Sequence, residues 1–147
     1  MFTHLLVPTD GSKLSDKAVA HAIALAKKLE AKITVFYAAM DYPTPIMADG
    51  MMYEPMPRRE YTRMAAEEAA KILGKVETKA AAAGVPCTGV HTISSVPWEA
   101  ILAAAKKYKC DTIVMASHGR RGVSALLLGS EAQKVLTHSK LPVLIVR

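Results

Sequence analysis

Apolar positions along the chain fall into two alternating patterns, short unbroken runs and longer stretches of helical period. The runs "FTHLLVP" (2–8), "KITVFYAA" (32–39), "CTGVHTI" (87–93), "DTIVMAS" (111–117) and "PVLIV" (142–146) read as five strands. Continuous rather than alternating hydrophobicity is the mark of strands covered on both faces, as in a parallel sheet. Between them lie four helical segments. In the first, Leu14, Ala18, Ala22, Leu25 and Leu29 recur at intervals of three and four behind a capping Ser12. The second, from about Arg59 to Ala83, aligns Tyr61, Ala65, Ala69, Ile72, Val76 and Ala80 and stops at Gly84 and Pro86. The third opens at Pro97 and carries Trp98, Ile101, Leu102 and Ala105 inward. The fourth opens at Ser130, where Gln133 completes an S-x-x-Q capping box, and closes before Pro142. Strands alternating with helices predict an α/β fold, an open parallel five-stranded sheet with helices on both faces. Residues 41–57, with four prolines and four methionines, have no usable period. They are expected to form a lid, or a loose connection whose methionines pack on their own domain.

With 147 residues, the chain is expected to form one domain over 1–147. No run approaches the roughly 20 apolar residues of a bilayer span, and the start has no leader pattern, so a cytoplasmic protein without membrane contact is expected. Cys87 and Cys110 form no C-x-x-C pair. The formal charge of +6 points to acidic partners: nucleic acid, anionic lipid or a phosphorylated small molecule. Aromatics are 5% of the chain, which leaves few stacking platforms and makes nucleic acid the less expected of these.

Two strand exits carry unusual chemistry: "VPTDGS" after the first and "SHGRRGVSALLLGS" after the fourth. Open parallel sheets bind ligands beyond the carboxyl ends of their strands where the winding reverses. If these two strands are neighbours, both exits line one crevice. Gly119, Gly122 and Gly129 then let backbone approach a ligand closely. The helix opening at Ser130 presents unpaired N–H groups and a positive dipole end, which attract anions. Asp10 would repel phosphate; its natural roles are accepting a ribose hydroxyl or holding a metal ion carried by the phosphates. Each feature has a plainer reading: Asp10-Gly11-Ser12 as a turn and cap, Arg120 and Arg121 as solvated cations, His118 as a loop histidine. The Walker P-loop, the G-x-G-x-x-G fingerprint, the G-x-S-x-G elbow and zinc-ligand spacing are all absent from the sequence. A dedicated catalytic apparatus is not visible.

"LLVPTDGS", "IVMASHGRRGVSALLLGS" and "PVLIV" together resemble the universal stress protein family over essentially the whole chain. The G-x2-G-x9-G-[ST] pattern of its ATP-binding branch aligns with Ala116, Gly119, Gly129 and Ser130, with alanine at the first glycine. The resemblance implies strand order 3-2-1-4-5 and ATP, with Mg carried on the nucleotide, between the first and fourth strand ends. Pro8, Thr9 and Asp10 would line the adenosine side, with Ala38 and Met115 beside the base. Gly119, Arg120, Gly129, Ser130 and the Glu131 backbone would hold phosphates, and the Ala116 methyl would crowd the ligand if that position needs close approach. Gly129→Val is expected to block the site with the fold intact. The same strand order puts "PVLIV" at an edge, so a homodimer through Pro142 to Val146 is expected. The leading function is a nucleotide-dependent stress-response regulator read by other proteins. The alternatives are a slow ATPase using Asp10 with His118 or an arginine, and, less expected, a non-nucleotide-binding or nucleic-acid-binding stress protein.

Overall fold

The computed structural model describes residues 2–53, 56–119 and 128–147. Within them the chain runs β1 (His4–Pro8), α1 (Lys13–Leu29), β2 (Lys32–Ala39), β3 (Ile46–Ala48), β4 (Met51–Tyr53), α2 (Arg58–Ala82), β5 (Cys87–Ile93), α3 (Pro97–Lys107), β6 (Thr112–Ala116), α4 (Ser130–His138) and β7 (Val143–Val146). Five strands form one parallel sheet in the order β5-β2-β1-β6-β7, which is the 3-2-1-4-5 winding of the main strands. The first and fourth of these, β1 and β6, are neighbours, with Leu5 opposite Thr112 and Leu6 opposite Ile113.

Alternation along each strand divides the core into two layers. Leu5, Val7, Val35 and Val114 pack with Ala18, Val19, Ala22 of α1 and Ala69, Leu73, Val76 of α2. Leu6, Phe36, Ile113 and Met115 pack on the other face with Ile101 and Ala105 of α3 and Val135 of α4. Leu5 and Leu6 are both fully buried although adjacent, as a two-sided sheet demands; burying each contributes roughly 2 kcal/mol of transfer free energy. The apolar stripe of α1 is rotated from the expected one. Val19, Ile23 and Ala26 face the core, and Leu29, in the last turn, stays exposed. Trp98 is half-buried and stacks on His138 with ring centroids 4.7 Å apart.

Gly89 shows how α2 covers the edge strand β5. A Cβ there would lie 2.9 Å from Leu73 Cβ, so only glycine allows this approach. The Gly89 N–H then donates to the Glu77 carboxylate at 2.6 Å.

Residues 41–57 depart from the expectation of an irregular segment. They carry a small antiparallel hairpin, with Ile46 opposite Tyr53, Met47 opposite Met52 and Ala48 opposite Met51. Its turn residues Asp49 and Gly50 both have positive φ, 51° and 75°, the geometry an Asp-Gly turn adopts to match strand twist. The three hairpin methionines do not pack on the domain: Met47, Met51 and Met52 are 65–66% exposed, while Met56 is half-buried. The root is held instead. Tyr42 meets Tyr61 edge-on at 5.3 Å and lies under the Arg58 guanidinium, while its hydroxyl donates to Met56 O.

Candidate functional site

The turn after β1 is fixed by its own polar groups. Thr9 N donates to Phe36 O at 2.9 Å, and its hydroxyl shares a hydrogen bond with Ser15 at 3.1 Å and accepts from Gly11 N at 3.2 Å. Asp10 Oδ1 accepts from Ser12 N at 3.0 Å, closing an Asx-type turn. Gly11 takes φ +73°, a conformation glycine adopts at no steric cost. Ser12 caps α1 by accepting from Ser15 N at 3.2 Å, as its position in the sequence predicted.

The exit from β6 is tied down as firmly. Ser117 is buried; its N–H donates to Val146 O at 2.8 Å and its carbonyl accepts from Gly129 N at 2.8 Å. The start of α4 is therefore clamped directly beside the end of β6. The two exits touch. A Cβ on Gly119 would lie 2.6 Å from Asp10 Oδ2, so the exposed Gly119 backbone rests against that carboxylate.

Three apolar residues share one face of this rim. Pro8, Ala38 and Met115 sit two residues beyond Leu6, Phe36 and Ile113 on adjacent strands, so all three lie on the α3–α4 face. Ala116 falls on the opposite face, buried with Val114 and Val146 against α1. Its methyl is directed away from the layer holding Ala38 and Met115, and its φ is not positive. Alanine at the first motif position thus does not crowd that face.

Helix α4 begins at Ser130, but the expected capping box is not formed. Gly129 is the N-cap, in extended geometry at φ −61°, ψ 150°, with no side-chain cap among the described residues, and Ser130 is the first helical residue. Gln133 N donates to Gly129 O at 2.9 Å, within the helix ladder. The clamp to Ser117 sets this start, because it pins the residue before Ser130 outside the helix. A Cβ at Gly129 would meet Ser117 O at 2.9 Å and His118 Cα at 3.3 Å. Gly129→Val would therefore displace the protein's own backbone, and the expectation that it spares the fold is withdrawn.

The Glu131 side chain has a structural task that the sequence did not signal. Its Oε2 accepts from Trp98 N at 2.9 Å, capping the first turn of α3 across the layer, and its Oε1 lies 3.5 Å from Lys134 Nζ. His118 Nδ1 is 3.0 Å from the Ser117 hydroxyl. Arg120, with Arg121 and Gly122, lies outside the described residues. No cluster of three or more metal-ligating side chains occurs among the described residues. The nearby cavity of about 240 Å³ lies on the other side of the β1 turn, between α1 and α2, where Thr9, Gly11, Asp16, Lys71 and Lys75 line it.

The model of the universal stress protein family matches residues 1–147. The chain belongs to the universal stress protein family. Universal stress protein YxiE of Bacillus subtilis is 34% identical to it over 149 residues, covering 100% of both chains. Among solved structures, the MJ0577 protein superposes with a TM-score of 0.80 at 22% identity over 99% of this chain and 96% of that one. A universal stress protein in complex with cAMP superposes with a TM-score of 0.73 at 26% identity, over 99% and 97%. No described helix of this universal stress protein is long and apolar enough to cross a membrane.

Proposed function

We propose that this universal stress protein binds an adenine nucleotide, ATP with its Mg, at the joined exits of β1 and β6. The base lies on the apolar rim of Pro8, Ala38 and Met115, and the ribose near Thr9 and Asp10. The phosphates run over the backbone of Gly119 and Gly129 to the start of α4, where Ser130 and the Glu131 N–H lie at the positive end of the helix dipole. Arg120 follows Gly119 directly in sequence and supplies a cation to the same phosphates. The observation that carries this reading is the contact of Asp10 with the Gly119 backbone, beside the start of α4 that Gly129 N anchors to Ser117 O. A relative of the same fold bound to cAMP supports the adenine nucleotide class.

Bound nucleotide acts as a signal rather than a substrate. The chain is a single-domain cytoplasmic regulator in the stress response, whose occupancy is read by partner proteins, and it forms a homodimer through Pro142 to Val146. Titration calorimetry with Mg-ATP tests the binding. The wild-type chain gives a saturable heat, and Gly119→Val, whose side chain would press on Asp10 from an exposed loop, weakens affinity at least tenfold, about 1.4 kcal/mol. Absence of heat with Mg-ATP, ADP and cAMP alike would remove the proposal.

A further inference from the structure

Six of the eight methionines fall between residues 40 and 64, at 40, 47, 51, 52, 56 and 64. Three of them, Met47, Met51 and Met52, make up half of the six paired residues of the β3–β4 hairpin, and each is 65–66% exposed. Met40 and Met64 are exposed too, at 64% and 47%, but lie outside the hairpin; the sulfurs within the folded layers are sheltered. Met115 is 6% exposed in the α3–α4 layer, Cys110 is buried and Cys87 is half-buried. Burial pushes both thiols up to about 11, with the Glu77 carboxylate adding to the effect at Cys87, so neither supplies the thiolate that oxidants attack. A thioether needs no deprotonation and reacts according to its exposure.

We propose that the β3–β4 hairpin is an oxidation-sensitive modification site, in which Met47, Met51 and Met52 take oxygen from hydroperoxides ahead of Met115 and both cysteines and the hairpin opens as a result. In each event a thioether sulfur lone pair attacks the terminal oxygen of a hydroperoxide. The O–O bond breaks, an S–O bond forms, and the proton of the transferred oxygen passes to the departing oxygen, giving sulfoxide and alcohol, or water from hydrogen peroxide. Sulfur loses two electrons and the peroxide gains them. A hairpin of two strands is marginal by itself and depends on its cross-strand pairs. Sulfoxides at Met47 and Met52 would set two polar groups directly opposite each other, and one at Met51 would replace its apolar contact with Ala48. The root contacts of Tyr42, Tyr61 and Arg58 contain no sulfur side chain, so the five-stranded sheet stays folded.

The test treats the purified full chain with limiting hydrogen peroxide and follows each methionine by peptide mass mapping and each amide by hydrogen exchange. Oxidation at Met47, Met51 and Met52 is expected at least about tenfold faster than at Met115, with both cysteines still alkylatable after denaturation. Amide protection across 46–53 is expected to fall while that of β1, β2 and β6 holds. A triple variant, Met47→Leu, Met51→Leu and Met52→Leu, keeps the apolar pairs and should keep its protection under peroxide. The proposal is overturned if Met115 or either cysteine reacts at a comparable rate. It is equally overturned if 46–53 is unprotected from the start, if sulfoxides form without loss of protection, or if the triple variant loses protection under peroxide.

Discussion

Gly119 and Asp10 are 109 positions apart in sequence, yet a single added methyl on one would press on the carboxylate of the other. Asp10 is held by Ser12 N on its Oδ1, so it has little freedom to retreat. Asp10→Ala should accordingly lower nucleotide affinity through loss of a ribose acceptor, by about 1 kcal/mol or roughly fivefold, while Ser12 still caps α1 and preserves the fold. Competition between ATP and a 2′,3′-dideoxy analogue checks the assignment: the wild type should favour the hydroxylated ligand, and the variant should favour it less. Glu131 makes a separate prediction. Glu131→Ala removes the only side-chain acceptor described at Trp98 N, and loss of such a cap costs about 1 kcal/mol, or roughly 3 °C in melting temperature for a chain of this size. Calorimetric melting measures it. The candidate residues after β1 and β6 could be read from the sequence because glycine, aspartate and serine announce turns and helix starts. The side-chain task of Glu131 could not, because its partner lies 33 positions away in sequence and no local pattern encodes the pair.

Helix α2 runs for 25 residues against β2 and β5 with one weak position in its interior. Gly74 has no heavy atom within 4 Å of where a Cβ would stand, so its cost to helix propensity is not offset by close packing. Gly74→Ala should raise stability by about 1 kcal/mol and the melting temperature by roughly 3 °C. Gly89 is the counter-case, since alanine there would collide with Leu73. The sequence alone did not separate these two glycines, because the difference lies in what packs opposite each. All five sheet strands and four helices were legible from period and breakers. The β3–β4 hairpin was not, since its three-residue strands are too short and too uniformly apolar to show alternation. Its one local signal was Asp49-Gly50 between apolar neighbours, the dipeptide of a tight hairpin turn. The fourth helix was placed correctly at Ser130, but its cap was not. The clamp of Gly129 to Ser117 is a tertiary bond that overrides the local S-x-x-Q pattern.

At the scale of the molecule, the strand order leaves β7 as an edge, with Leu144 exposed beside half-buried Val143 and Ile145. Leu144→Asp should convert the proposed dimer to a monomer in light scattering without unfolding it. The other molecular property is pH response. Burial, together with nearby Lys32, lowers the His4 imidazole below its ordinary value of 6.5, and its Nε2 is bonded to Thr34 at 2.8 Å. The unfolded chain therefore binds the His4 proton at a higher pH than the folded one. Stability is fully present above 6.5 and declines as pH falls from there toward the folded-state value. Asp111 adds a second, more acidic loss. Burial would raise its carboxyl, but hydrogen bonds from Thr3, His4 and Thr112 outweigh this and hold it below 3.8, so its contribution disappears as pH falls through that lowered value. Melting temperature measured against pH should show the first decline in the wild type and lack it in His4→Gln.

The central claim is where the phosphates sit, and a crystal structure grown with Mg-ATP answers it. Phosphate density is expected beside Gly119 and Gly129 at the start of α4, with the ribose within hydrogen-bond reach of Asp10. Density in the α1–α2 cavity against Lys71 and Lys75 instead, or a molecule that stays empty at saturating ATP, would contradict it.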